Sequence, residues 1–68
     1  MNNLKKILKD AGITQLDISR ELNIKSLSTV NLKLNGKADF TTIEANNLKN
    51  YINKKLNKNY SLEDLFLS

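Results

Sequence analysis

Three small polar residues near the middle of the chain carry the side chains best suited to recognition chemistry. Ser28, Thr29 and Asn31 lie within four positions, and their hydroxyl and amide groups both donate and accept hydrogen bonds. Serine and threonine can bond to several DNA bases, and asparagine suits adenine. Leu32 follows them, and an apolar side chain can contact the methyl group of thymine. The cluster therefore points to base edges as a candidate partner.

The sequence offers little for catalysis. It contains no His and no Cys, which removes the usual zinc ligands and excludes disulfides. It has no Gly-rich phosphate loop and no clustered pair of carboxylates, and Glu63-Asp64 is better explained as negative charge at a helix start. We therefore expect no enzyme, no metal, no cofactor and no small-molecule ligand.

The charge balance favours contact with a polyanion. The chain has 11 Lys and Arg against 7 Asp and Glu, a formal net charge of +4. Net charge speaks to non-specific binding rather than to fold, and an ordinary basic surface would have the same balance. Charge alone therefore favours nucleic acid only weakly.

The length of 68 residues predicts a single domain with a small core, stabilised by helix packing and by dimerisation. No apolar run approaches the roughly 20 residues needed to cross a bilayer. Residues 1–6 lack the apolar segment of a secretory signal, so we expect a cytoplasmic protein.

Two glycines and no proline divide the chain into helical blocks, since Gly commonly follows a helix end. Apolar residues from Leu4 to Ala11 have helical spacing, with Asn2 or Asn3 as a possible cap and Gly12 as the end. A second helix over residues 15–22 begins with a capping-box pattern, Thr14 and Asp17. Asn23 is suited to a left-handed end.

The second helix should bury Ile18 and Leu22, with Ile24 pointing back inward. A third helix should start at Ser26 or Ser28. Its buried face should hold Val30 and Leu34, with Leu27 at one end, and Asn35-Gly36 should stop it. At about 100° per residue, Ser28, Leu32 and Asn35 then point outward, flanked by Thr29 and Asn31.

The C-terminal block predicts two more helices. Thr41 or Thr42 should cap the fourth helix, Asn57-Lys58-Asn59 should break the chain after it, and Ser61 should start a short last helix. The apolar positions of the fourth helix are Ile43, Leu48, Ile52 and Leu56, with Ala45 and Tyr51 alongside, and those of the last helix are Leu62, Leu65 and Phe66. No segment has the alternation of a strand, so the predicted fold class is all-α with five helices.

Residues 14–36 match a helix-turn-helix, in which two short helices flank a tight turn and the second is rich in small polar residues. The major groove of DNA admits one α-helix, and a second helix must hold it there. Small side chains let the inserted helix approach the base edges.

Three segments also resemble the XRE family, the regulators related to phage repressors and Cro proteins. Residues 14–24, with the pattern T-Q-x-x-I-S-x-x-L-N-I, are similar to its T-Q-x-x-L-A-x-x-L-G-V/I stretch. Residues 28–37, STVNLKLNGK, are similar to the S-T-L-x-N-K-L-N-G-K stretch of phage-type members. Phe40-Thr41 and residues 61–66 resemble the tail of such proteins. The resemblance implies a lambda-repressor-like domain over residues 1–68 that acts as a homodimer on an operator in double-stranded DNA.

The helix-turn-helix and the resemblance together nominate two sets of contacts. The expected base contacts are Ser28, Thr29, Asn31 and Leu32. The expected phosphate contacts are Gln15, Lys25, Lys33, Asn35 and Lys37. Gln15 also opens a helix whose free N–H groups attract phosphate. Arg20 is a weaker candidate, and the basic stretch Lys49, Lys54, Lys55 and Lys58 is either a further phosphate footprint or a solvated helix face.

Some positions depart from the family pattern. One additional residue lies between Leu22 and Ser28, which predicts a longer turn. Leu16, Leu27 and Leu32 occupy positions that are usually polar in this family. The alternative function is therefore a protein-interaction module, such as an anti-repressor or an antitoxin, that retains the fold without base-specific DNA contacts.

Overall fold

The computed structural model describes residues 3–67, and this part of the chain folds into five helices with no strand. The helices are α1 (Leu4–Ala11), α2 (Gln15–Glu21), α3 (Leu27–Leu34), α4 (Thr42–Leu56) and α5 (Glu63–Leu67), the last of which is wound as a π-helix. The all-α, five-helix prediction is confirmed for these residues.

A residue in the left-handed conformation lies just after each of the helices α1 to α4. Gly12 (φ +71°) follows α1, and Gly36 (φ +75°) follows α3. Asn23 (φ +57°) and Asn57 (φ +54°) adopt the same conformation after α2 and α4. Gly adopts this region without steric cost, and Asn is among the few other residues that tolerate it.

Reciprocal capping fixes the starts of three helices. In the predicted pair, the Thr14 hydroxyl accepts a hydrogen bond from the Asp17 N–H at 3.1 Å, and Asp17 accepts one from the Thr14 N–H at 2.9 Å. Thr41 forms the same box with Glu44. Ser61 and Asp64 exchange equivalent bonds before α5. Each box satisfies backbone donors that the first turn of a helix leaves without intrahelical partners.

The predicted caps of α1 and α3 differ from the structure. Asn3 and Ser26 occupy the N-cap positions, but neither side chain forms a capping hydrogen bond. Ser28 is the second residue of α3 and is not a cap. Asn2 lies outside the described residues.

The core is built around α4. Leu48 and Ile52 have no exposed surface, and α1 and α2 both pack against this helix. The remaining buried apolar residues come from every other helix and from the loops on either side of α2; they are Leu4, Leu8, Ile13, Ile18, Leu22, Val30 and Leu65. The predicted core positions Ile18, Leu22, Val30, Leu48, Ile52 and Leu65 are therefore confirmed.

Two apolar residues are far more exposed than predicted. Ile43 is 73% exposed, because five residues place it about 140° around the helix from Leu48. Leu27 is 48% exposed. A helical side chain normally lies over the turn that precedes it. Leu27 is the first residue of α3, so no such turn is present for its side chain to pack on.

The C-terminal residues complete the core. Leu65 is fully buried, and the Phe66 ring meets Phe40 edge-to-face with centroids 5.4 Å apart. This is a favourable arrangement for two aromatic rings. The sequence left open whether this segment packs on the core or forms a dimer seam, and the structure assigns Leu65 and Phe66 to the core. The side chain of Leu67 lies outside the described residues.

Across the described part of the chain, the longest helix has 15 residues, and none combines the length and apolarity that a bilayer crossing requires.

Truncation of Leu65, the buried residue of α5, should destabilise the fold strongly. We expect Leu65→Ala to lower the free energy of unfolding by about 2–5 kcal/mol, because a fully buried Leu leaves a cavity. Leu16→Ala removes the same atoms from a side chain that is 47% exposed and should cost less than about 0.5 kcal/mol. Urea denaturation followed by circular dichroism measures both. Equal effects would contradict the placement of Leu65 in the core.

Candidate nucleic-acid interface

The packed pair α2 and α3 forms the centre of the candidate interface. The connection comprises the five residues 22–26, because α2 ends at Glu21 and α3 begins at Leu27. A helix-turn-helix usually has a turn of three or four residues, so the connection is long, as the sequence predicted.

The first half of this connection forms the C-terminal end of α2. The Ile24 N–H donates to the Ser19 carbonyl at 2.9 Å, and the Asn23 N–H donates to the Arg20 carbonyl at 3.4 Å. These two bonds around a left-handed residue form a Schellman motif. The additional length therefore lies after a well-defined helix end and before an N-cap residue, Ser26, whose side chain does not cap α3.

The outward face of α3 carries the predicted base contacts. Val30 anchors the opposite side of this helix with no exposed surface. Ser28 and Asn31 are exposed, Leu32 is 44% exposed, and Thr29 is half-buried. The helix thus presents a hydroxyl, an amide and an isobutyl group on one side, with Thr29 at the edge.

The start of α2 is oriented by its capping box. Gln15 is the first residue of this helix, and its side chain is exposed. The box engages the N–H groups of Thr14 and Asp17, so those of Gln15 and Leu16 are the first-turn donors without intrahelical acceptors. The hydrogen bonds from Thr14 lower the pKa of the Asp17 carboxyl, with smaller contributions from the charges of Lys55 and Arg20. Asp17 therefore stays ionised and keeps the box closed.

The five predicted phosphate contacts fall into two groups. Gln15, Lys25 and Lys37 are exposed, and within residues 3–67 their side chains make no hydrogen bond or ion pair. Lys33 and Asn35 are each bonded to other side chains of the protein. The first three are free to meet a phosphate, and the other two are already engaged.

Lys33 joins α3 to α4. Its ammonium forms an ion pair with the Glu44 carboxylate and lies 5.9 Å from the centre of the Phe40 ring. The side chains of Lys33 and Glu44 are only 13% and 18% exposed. Lys33 is therefore mostly enclosed and already paired within the protein, which favours a structural role, and its phosphate contact stays a prediction.

The amide of Asn35 is also engaged within the protein. Its Nδ2 donates to the Asn31 carbonyl at 2.9 Å and to Asn31 Oδ1 at 3.1 Å. Its Oδ1 accepts a hydrogen bond from the ammonium of Lys5. An amide nitrogen has two donors, and both are taken. In this structure both nitrogen contacts of Asn35 lie within the protein, and its phosphate contact stays a prediction.

Lys5 and Lys9 are interface candidates that the sequence reasoning missed. Both line a shallow groove between α1, the start of α2 and the end of α3, together with Gln15 and Leu34. Helical spacing puts these lysines away from Leu4 and Leu8 on α1, but it does not show which neighbouring helix they approach. The bond from Lys5 to Asn35 brings a cation to the end of α3.

The basic stretch of α4 has a different setting. Lys54 and Lys55 line a groove beside Tyr51 and the acidic side chain of Glu21, at the far end of α2 from Gln15. Lys49 is half-buried, and Lys58 is exposed. An acidic neighbour favours the interpretation of this stretch as a solvated helix face.

Searches against protein-family models, curated proteins and solved structures give no significant match to this chain. Within residues 3–67, no three acidic side chains come close enough together to hold a metal ion. The features of this chain that bear on its function are therefore the α2–α3 geometry and the sequence pattern of residues 14–37.

The Lys33–Glu44 pair should be measurable by a double-mutant cycle. We expect Lys33→Met and Glu44→Gln to show a coupling energy of about 1–2 kcal/mol, because both side chains are mostly removed from water. The Gln variant retains an oxygen that can accept the capping bond from Thr41. Additive effects in urea denaturation would mean that the pair does not stabilise the fold.

The same pair predicts a pH dependence. The hydrogen bond from Lys33, then that from the Thr41 N–H, lowers the pKa of Glu44 below its ordinary value of 4.5. A carboxyl with a lowered folded-state pKa contributes stability above its unfolded pKa and loses it as pH falls through the folded value. The free energy of unfolding should fall below pH 4.5 more steeply in the wild type than in Glu44→Gln. Parallel curves would contradict this assignment.

Proposed function

We propose that this protein is a sequence-specific double-stranded DNA-binding regulator of the phage-repressor or Cro type, with a lambda-repressor-like helix-turn-helix. The supporting observation is the outward face of α3, where polar and apolar side chains are exposed opposite the buried Val30. Insertion into the major groove requires a helix that is packed on one side against the protein and exposed on the other.

The dimensions of α3 suit the groove. An α-helix with its side chains is about 10–12 Å across, and the major groove is about 12 Å wide. In the proposed complex Ser28 and Asn31 hydrogen-bond to base edges, Leu32 meets thymine methyl groups, and Thr29 contributes from the side. These contacts would supply sequence choice.

Phosphate contacts would come from the surroundings of α3. Gln15 and Lys25 flank it on the α2 side, and Lys37 follows its end. Lys5 joins this set because its bond to Asn35 brings it to the same corner. Each neutralised phosphate releases counterions, so binding should weaken as salt rises.

The family resemblance adds a dimer to the proposal. Two copies related by a two-fold axis would place their α3 helices about 34 Å apart, one turn of DNA. Such a dimer would occupy a palindromic operator and regulate a promoter by obstructing it.

Selection from a random duplex pool tests the proposal. The folded protein should enrich a palindromic sequence at moderate salt, and fluorescence anisotropy should then give an affinity well above that for unrelated DNA. A protein that is folded by circular dichroism yet enriches no sequence would overturn the proposal.

Two substitutions should separate specificity from affinity. Asn31→Ala should change the preferred base at one position of each half-site, because a base contact is lost. Lys37→Ala should weaken binding to all sequences and lower the slope of log affinity against log salt by about one unit. Lys58→Ala, the same loss of charge on an exposed lysine after α4, is the matched control and should leave both properties unchanged. An unaltered preference in Asn31→Ala would contradict the placement of α3.

A protein-interaction module is the second candidate function. Leu16, Leu27 and Leu32 are 47%, 48% and 44% exposed, and exposed apolar side chains favour a protein partner when they form one patch. Replacing Leu16 with Gln distinguishes the two functions. That change should leave DNA affinity nearly intact if DNA is the partner, and it should weaken a protein complex that buries the leucine.

A further inference from the structure

We propose that Lys5 and Asn35 orient the Asn31 amide so that its Nδ2, and not its Oδ1, faces DNA, which directs this position to guanine over adenine. The inference rests on the proposed DNA-binding function and names the base that one residue selects. Asn31 is the residue in contact with the base, and Lys5 and Asn35 are positioning residues.

The orientation of Asn35 is determined from both ends. The Lys5 ammonium can only donate hydrogen bonds, so the atom of Asn35 that faces it must be the oxygen, as observed. The Asn31 main-chain carbonyl can only accept, so the atom of Asn35 that faces it must be the nitrogen, at 2.9 Å. Rotating the Asn35 amide by half a turn would set donor against donor and acceptor against acceptor.

The fixed Asn35 then orients Asn31. Asn35 Nδ2 also donates to the Asn31 side chain, with its Oδ1 at 3.1 Å. The Oδ1 of Asn31 is thereby turned toward the end of α3. Its Nδ2 makes no hydrogen bond within residues 3–67, and the side chain is exposed. The group available to a base is an NH2 with two donors.

Guanine complements this group better than adenine does. In the major groove guanine shows two acceptors, O6 and N7, whereas adenine shows one acceptor, N7, and one donor, the N6 amino group. An asparagine must present both its oxygen and its nitrogen to pair with adenine at two points. With Oδ1 turned to Asn35, Asn31 can donate twice to guanine but only once to adenine.

The orientation should persist in a complex because a docked interface excludes water. If Asn31 turned its oxygen to a base, its Nδ2 would face the Nδ2 of Asn35, and a donor left without an acceptor in a desolvated site is costly. We therefore expect the wild type to prefer guanine over adenine at this base pair by about tenfold, within the range of one good bidentate contact.

The base assignment is tested on the selected operator. Asn31→Ala first identifies the base pair that this residue contacts. At that pair, affinities are then measured for guanine, adenine and 7-deazaguanine, which lacks the N7 acceptor. We expect guanine to bind best and 7-deazaguanine to lose about three- to tenfold in the wild type but nothing in Asn31→Ala. A wild-type preference for adenine at this pair would overturn the inference and leave the proposed function intact.

Asn35→Asp tests the positioning role. A carboxylate can only accept, so it should still pair with Lys5 but should attract the Nδ2 of Asn31 and turn Oδ1 outward. The preference at this one base pair should then shift toward adenine, whereas an added negative charge alone would weaken all sequences alike. An unchanged guanine preference would overturn the role of Asn35.

Lys5→Met removes the ammonium that fixes the Asn35 oxygen. It should reduce the guanine preference by at least threefold as well as lower overall affinity. Lys9→Met is the matched control, because Lys9 is an exposed lysine of the same helix and lines the same groove without a bond to Asn35. It should leave the base preference unchanged, and an equal loss of preference in both variants would contradict the proposed orientation.

Thermal melting followed by circular dichroism establishes that each variant is folded. If Asn35→Asp does not fold, Asn35→Ala takes its place and should relax the preference between guanine and adenine at the same pair. An unchanged preference in Asn35→Ala would likewise overturn the role of Asn35. A folded wild type that selects no DNA sequence would overturn both the proposed function and this inference.

Discussion

The burial of Val30 is the constraint on which the candidate interface depends. Val30 has no exposed surface, and its contact with the core sets which side of α3 faces outward. Because successive residues turn by about 100°, one buried position determines the direction of all its neighbours. Any rotation of α3 would expose Val30 and redirect the whole outward face.

The ion pair between Lys33 and Glu44 reinforces this orientation. Lys33 lies one turn after Val30, and its partner lies in the capping box that starts α4. The same carboxylate therefore holds the end of α3 and the start of the central helix. In a small domain, whose core alone is marginal, a contact that joins two helices limits the motion of the surface that they support.

The outer surface divides into engaged and free polar groups. Asn35 and Lys33 are hydrogen-bonded to other residues of the protein, whereas the side chains of Gln15, Lys25 and Lys37 are exposed. Residues of similar type and position in the sequence thus have different chemical capacity. The engaged side chains give the interface its shape, and the free ones can meet a ligand.

The sequence by itself determined the helix ends and most of the core. Gly12, Asn23 and Gly36, and the box between Thr14 and Asp17, depend on backbone conformation and on hydrogen bonds that close within a few residues. Helical spacing likewise identified Ile18, Val30 and Leu48. Such features are local, so their residues suffice to predict them.

Only the tertiary structure decided which polar groups remain available. The bond from Lys5 to Asn35 joins residues 30 positions apart, and that from Lys33 to Glu44 joins residues 11 positions apart. Both require knowledge of how the helices are placed against one another, which no local pattern contains. The sequence thus determined where α3 lies and which side chains it carries, and tertiary packing determined which of them can bind.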